Sequence, residues 1–193
     1  MGLPRGGEAG PPAVRRRVFF ALWPDEACRE RLEAATQRAL SGAAAHAGRP
    51  VPPEDWHVTL CFLGAVQESL LPSLQAAAAR LYLPAFSLRF ERLHRWRQAG
   101  VLALMGDCPP EASALAAALR TLSRELGLAP DDKPLRPHIT LVRGLRDAAW
   151  QEPGGTRLEL LFPANRFALA ASREKVSAPA VRYRLLADWP LKG

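Results

Sequence analysis

The sequence predicts an α+β fold built on antiparallel sheets, and three observations carry that expectation. Helix-like and strand-like segments are interleaved over residues 17–189 of the 193. Several strand-like segments fall in adjacent, hairpin-like pairs rather than in the strict alternation of a doubly wound sheet. No glycine-rich phosphate loop, neither GxGxxG nor GxxxxGK followed by Ser or Thr, interrupts the pattern.

The elements follow in order. Residues 1–16 hold Gly, Pro and adjacent arginines and read as an irregular tail, without the apolar stretch of a secretory signal. Residues 17–23 form an apolar run that reads as a buried strand. Pro24 suits the first turn of a helix, and Asp25 and Glu26 suit its positive end. Cys28, Leu32, Ala35 and Ala39 recur at helical spacing to about residue 40. Residues 41–53 are a Gly/Ala/Pro connection. A strand is expected over 55–63, closed by Gly64. Leu70, Leu74, Ala77 and Leu81 form the stripe of a second helix that Pro84 stops. Strands at 87–93 and 101–105 flank a turn at Gln98-Ala99-Gly100. Leu115, Leu119, Leu122 and Leu126 mark a third helix, with Gly127 as its cap. Residues 131–137 are a loop before another strand. The remaining strands are expected at 157–162, 166–171 and 181–187, and residues 190–193 form a short tail.

Bulk composition narrows the function classes. No 18-residue apolar run exists, so no membrane-spanning helix is expected. Cys28, Cys61 and Cys108 are isolated and odd in number, which argues against structural zinc and a disulfide framework and fits a cytoplasmic protein. The net charge of +7 suits either a basic surface or a polyanionic partner such as RNA. Arg89, Arg92, Arg95 and Arg97 cluster around His94 and Trp96 as a possible path for an RNA strand.

The most informative feature is a repeated tetrapeptide pattern. Trp56-His57-Val58-Thr59-Leu60 and Pro137-His138-Ile139-Thr140-Leu141 both read His-x-Thr-Leu, 81 residues apart. A strand repeats every two residues, so each histidine shares a face with its threonine while the intervening residues point to a core. Histidine titrates near neutrality and can donate or accept a proton. A threonine hydroxyl on the same face can donate to a phosphoryl oxygen. Two copies therefore suit cleavage of a phosphodiester by an acid and a base, with no metal and no cofactor required. Strict alternation puts Cys61 on the same face, where core burial is its commoner role. It puts Arg143, five residues past His138, on the opposite face. Trp56 is expected in the core.

On these residues the chain resembles the 2H phosphoesterase superfamily, and specifically the RNA 2′,3′-cyclic phosphodiesterases once described as 2′-5′ RNA ligases. The similar segments are the strand from Arg17, Trp56 through Gly64, Arg136 through Arg143, Phe167 through Glu174 and Tyr183 through Trp189. The resemblance implies one domain over 17–189, with two pseudo-symmetric lobes flanking a central cleft and helices outside. It implies hydrolysis of RNA 2′,3′-cyclic phosphate ends, tRNA halves among the candidates, to 2′-phosphomonoesters. A monomer is the default expectation, because no segment reads as a dimer helix or an exposed strand edge. Reverse ligation would share the transition state. In the family's assignment His57 is the proton donor and His138 the acceptor; the near-identity of the motifs leaves that direction open from the residues alone. Thr59 and Thr140 would hold the phosphate oxygens. Arg143 and Arg17 are further candidates for phosphate contact, and Arg136, Arg173 and Lys175 looser ones. The alternatives are a 2H enzyme acting on a small cyclic nucleotide or ADP-ribose cyclic phosphate, and an RNA-binding module without turnover.

Overall fold

The structure is a computed structural model describing residues 14–39, 48–145, 159–173 and 181–192. Its strands are β1 (Arg15–Leu22), β2 (Arg49–Pro50), β3 (Val58–Gln67), β4 (Phe86–Trp96), β5 (Val101–Gly106), β6 (His138–Arg143), β7 (Leu160–Ala164), β8 (Arg166–Ser172) and β9 (Tyr183–Pro190). Its helices are α1 (Glu26–Ala39), α2 (Leu71–Ala78) and α3 (Pro110–Glu125).

All strand pairings are antiparallel, in the order β7-β4-β5-β6-β3-β1-β8-β9, with β2 added to β6. The sheet is narrow at its centre, where β3 and β6 share one residue pair, Val58 with Ile139. That waist divides it into two four-stranded halves, β3-β1-β8-β9 and β6-β5-β4-β7. Each half is wired alike: β1 leads through α1 to its neighbour β3, and β5 leads through α3 to its neighbour β6. This is the bilobal α+β architecture expected from the sequence.

The helices tie the halves together. α3 packs on β3 and α1 packs on β7, so each covers strands of the half opposite to its own. The apolar stripe of α3, Leu115, Leu119 and Leu122, is buried in a core shared with Phe20, Phe90, Phe162 and Phe167. Asp25 caps α1 by accepting from Cys28 N at 2.7 Å, leaving Pro24 just outside the helix. Gly127, at φ 75°, closes α3 and lets Leu128 N reach Ser123 O at 3.0 Å.

Several boundaries differ from expectation for local reasons. β1 begins at Arg15 because Arg15 and Arg16 pair with Gln67 and Val66. Residues 53–55 form a 3-10 turn, so β3 starts at Val58 and not at Asp55. Gly64 does not end β3; its left-handed backbone (φ 70°) is accommodated and the strand runs on to Gln67. α2 ends at Ala78, before Leu81. β2 lies in a stretch expected to be connection only. β7 begins at Leu160; residues 157 and 158, like most of the N-terminal tail and Gly193, lie outside the described residues. Among the described residues no helix is long and apolar enough to cross a membrane.

Candidate active site

Both histidines sit where the chain enters a strand, and both are fixed in the same way. His57 Nδ1 lies 2.6 Å from Asp55 O, and His138 Nδ1 lies 2.7 Å from Arg136 O. A carbonyl only accepts, so each Nδ1 carries the proton and each neutral ring keeps Nε2 as its free acceptor. The two rings, with Thr59 and Thr140, line one cleft of about 270 Å³ at the waist of the sheet.

A matched irregularity completes the site. Past each threonine two consecutive residues are buried, Leu60 with Cys61 in β3 and Leu141 with Val142 in β6. The pairing registers slip at these points, between Phe20 and Ala21 opposite β3 and between Leu102 and Ala103 opposite β6. Each slip is a bulge, in which one extra residue restores the following side chain to the other face. Phe62 and Arg143, each five residues past a histidine, are thereby returned to the cleft and line it. Strict alternation had placed Arg143 on the opposite face and Cys61 on the catalytic one; the bulges reverse both. Cys61 is buried and its thiol is pushed up to about 11, chiefly by that burial, which suits a core residue and not a nucleophile.

The surroundings of the two histidines differ. His57 is boxed by Phe19, Trp23 and Tyr183, each with its ring centre 5.0 Å away; Trp23 stacks on it and Tyr183 meets it edge-on. His138 meets Trp96 edge-on at 4.8 Å. Burial pushes the His57 pKa down to about 4, against the hydrogen bond it donates to the Asp55 carbonyl, and the positive charges of Arg143 and protonated His138 lower it further. Burial also lowers His138, with Arg143 adding to the effect. Arg143 Nε is itself buried without a hydrogen-bond partner among the described residues. A half-buried guanidinium lining one cleft with two depressed imidazoles suits an anion: a bound phosphate would satisfy Arg143 and favour protonation of a histidine.

The remaining expectations sort as follows. Arg17 lines the cleft, its guanidinium 5.4 Å from the centre of the Phe62 ring. Trp56 is buried in the core. The Arg136 side chain lines an adjoining cavity, not the cleft, while its carbonyl holds His138. Arg89 and Arg92 line a separate depression with Glu91 and Asp107; of the basic cluster's neighbourhood, Trp96 is the residue that reaches the cleft. Arg173 is exposed and joined through its backbone to Arg182, outside the cleft lining, and Lys175 lies outside the described residues.

Sequence reasoning missed Asp55. It is buried, and its carboxylate accepts from Arg182 N at 2.9 and 3.0 Å and from Tyr183 N at 3.3 Å. One residue therefore fixes His57 through its carbonyl and the start of β9, with Tyr183, through its side chain. The signal available was an acidic residue two positions before a cleft histidine. Among the described residues no three His, Cys, Asp or Glu side chains group as metal ligands would.

The chain is similar to known phosphoesterases in sequence and in fold. The family model described as LigT like Phosphoesterase matches residues 22–103. The RNA 2′,3′-cyclic phosphodiesterase of Escherichia coli (strain K12) is 30% identical over 181 residues, 91% of this chain and 97% of that protein. The protein of the same name from Thermus thermophilus is 33% identical over 195 residues, 92% of this chain and 91% of the relative. The crystal structure of E. coli LigT complexed with 3′-AMP superposes with a TM-score of 0.77 at 29% identity, covering 93% of this chain and 99% of that one.

Proposed function

This chain belongs to the LigT-like phosphoesterase family, and we propose that it hydrolyses 2′,3′-cyclic phosphate ends of RNA to 2′-phosphomonoesters, with His57 and His138 as the proton-transfer pair. The observation that carries the reading is the convergence on a single cleft of two Nδ1-anchored imidazoles and Arg143, whose buried Nε has no hydrogen-bond partner among the described residues.

In this mechanism water attacks phosphorus and the bond from phosphorus to the 3′ oxygen breaks. His138 takes the proton from water through Nε2, and His57 gives its Nε2 proton to the leaving oxygen. Thr59 and Thr140 donate to the non-bridging oxygens from opposite walls, and Arg143 balances the charge that gathers there. Phe62 and the adjacent Arg17 offer a stacking face to a nucleobase. Solvent then returns a proton to His57 and removes one from His138.

The pKa order bears on this division of labour. An imidazolium displaced to about 4 is a strong acid, and the less displaced His138 is the stronger base. The cost is that His57 is neutral in the empty cleft at pH 7. The substrate's own negative charge offsets that cost by raising both histidines when it binds. Reverse ligation passes through the same transition state, but the concentration of water favours hydrolysis. We place the enzyme in the cytoplasm as a monomer, with tRNA halves among its substrates.

The deciding experiment offers an oligoribonucleotide ending in a 2′,3′-cyclic phosphate, with EDTA present, and maps the product. Conversion to the 2′-phosphate that disappears in His57→Ala and His138→Ala is expected. A folded protein that leaves the ring intact, or that opens it equally well without both histidines, overturns the reading.

A further inference from the structure

The two halves of the sheet diverge just before each histidine strand. Ahead of β3, residues 49–51 run beside β6: Arg49 and Pro50 pair with Arg143 and Val142, and Val51 N donates to Leu141 O at 2.8 Å. The comparable stretch ahead of β6, residues 131–136, touches β3 through one described backbone bond, Asp131 N to Phe62 O at 3.3 Å. Strand pairing closes the first side. The second side stays open as a cavity of about 410 Å³ between that loop, β3 and α3.

This cavity continues from the cleft, since Thr59, Phe62, Trp96 and His138 line both. Its far wall is basic and built. Arg120, from α3, donates through Nε to Asp131 O at 3.2 Å and through a terminal nitrogen to Lys133 O at 2.9 Å. Those bonds hold the guanidinium in place while leaving its charge unneutralised, because among the described residues no carboxylate pairs with Arg120 or Arg136. Lys133 stands beside it, largely exposed and only loosely paired with Asp131 at 3.7 Å. Asp131 and Arg136 also line the cavity, and Leu60, Pro134 and Leu135 give it an apolar floor.

We propose that this cavity is a subsite for the nucleotide immediately 5′ of the cyclic-phosphate end. Arg120 and Lys133 take the phosphate that joins it to the terminal residue, and the apolar floor receives its sugar and base. The proposal rests on the cyclic-phosphodiesterase reading and deepens it, making the substrate an oligonucleotide end and not a free cyclic nucleotide. It also gives direction to a cleft whose two histidine strands are near-copies: the open side, and not the histidines, decides where the 5′ chain leaves.

The test compares kcat/KM for adenosine 2′,3′-cyclic phosphate with that for the dinucleotide ApA ending in 2′,3′-cyclic phosphate, in wild type, Lys133→Glu and Arg120→Gln. Wild type should favour the dinucleotide about tenfold or more, in keeping with one added phosphate contact and one added base. Lys133→Glu, at an exposed position, should abolish that preference and leave mononucleotide turnover unchanged; Arg120→Gln should reduce it. Equal rates on both substrates in wild type overturn the subsite while leaving the hydrolytic reading intact. A preference that survives in both variants overturns it as well. Loss of turnover on both substrates by folded wild type removes the hydrolytic reading, and the subsite with it.

Discussion

The β3 side and the β6 side of the cleft share a backbone plan and differ in nearly everything attached to it. Each has a histidine pinned through Nδ1 to the carbonyl two residues back, a threonine on the same face and a bulge after it. The plan sets two acceptor nitrogens and two hydroxyls on one cleft. The attachments then break the symmetry. His57 lies among three aromatic rings and His138 against one. The residue that the bulge delivers is Phe62 on one side and Arg143 on the other. A duplicated scaffold thus positions the reaction, and unequal surroundings assign the roles within it.

The largest effects should come from the shared part. His57→Ala and His138→Ala are each expected to lower turnover about 10²–10⁴-fold on a cyclic-phosphate RNA end, measured by steady-state kinetics with folding checked by circular dichroism. A p-nitrophenyl phosphodiester separates the roles, because its leaving group departs without a proton. The variant lacking the donor should recover most of its rate on that substrate, and the variant lacking the base should not. Recovery by His138→Ala, and not by His57→Ala, would reverse the assignment.

The next effects come from the bulge positions. Arg143 is a positive neighbour that lowers both histidines. Its removal should raise both, so the rising and falling limbs of the kcat/KM profile should both move to higher pH. In wild type those limbs bracket an optimum below pH 6.5, since the ordinary imidazole value is depressed at both sites. Arg143→Ala should also cost about 10–100-fold in kcat/KM, the usual worth of a hydrogen bond to a charged group. Phe62→Ala, at the equivalent position, should raise KM for nucleotide substrates about 5–10-fold through lost base stacking and leave the pH profile where it was. A pH shift in Phe62→Ala, or none in Arg143→Ala, would mean that the two positions do not divide binding and electrostatics as their chemistry suggests.

The shared plan was legible in the sequence because it is local. Two His-x-Thr-Leu strings mark two strand faces, and the apolar run of β1 and the leucine stripe of α3 announce their elements in the same way. What was hidden depends on pairing between distant segments. Nothing in Thr-Leu-Val-Arg says that Leu141 will be skipped by its partner strand, so alternation put Arg143 on the wrong face. β2 exists only because β6 lends it an edge. Gly64 looked like a terminator, yet a partner strand carries β3 through it. The aromatic box of His57 is assembled from β1, the turn after it and β9, which no local pattern brings together.

Asp55 supplies the smallest expected effect on rate and the sharpest test of how the two sides differ. Arg136 holds His138 through its carbonyl from a loop position, whereas Asp55 is buried and also clamps the backbone of residues 182 and 183. An Asp55→Asn variant keeps an oxygen for those N–H donors but turns a buried amide group toward them with no acceptor of its own. That mismatch should cost about 1–3 kcal/mol of stability, read as a lower denaturant midpoint. The His57 Nδ1 bond uses the backbone carbonyl and survives, so kcat should fall only a few-fold, through looser placement of Tyr183 against the ring. The nitrophenyl substrate distinguishes this from general damage. If Asp55 acts by positioning the proton donor, the deficit should vanish on a leaving group that needs no proton. A deficit of equal size on both substrates would make Asp55 a structural residue alone, and the firmer setting of His57 would then have no part in the proton transfer.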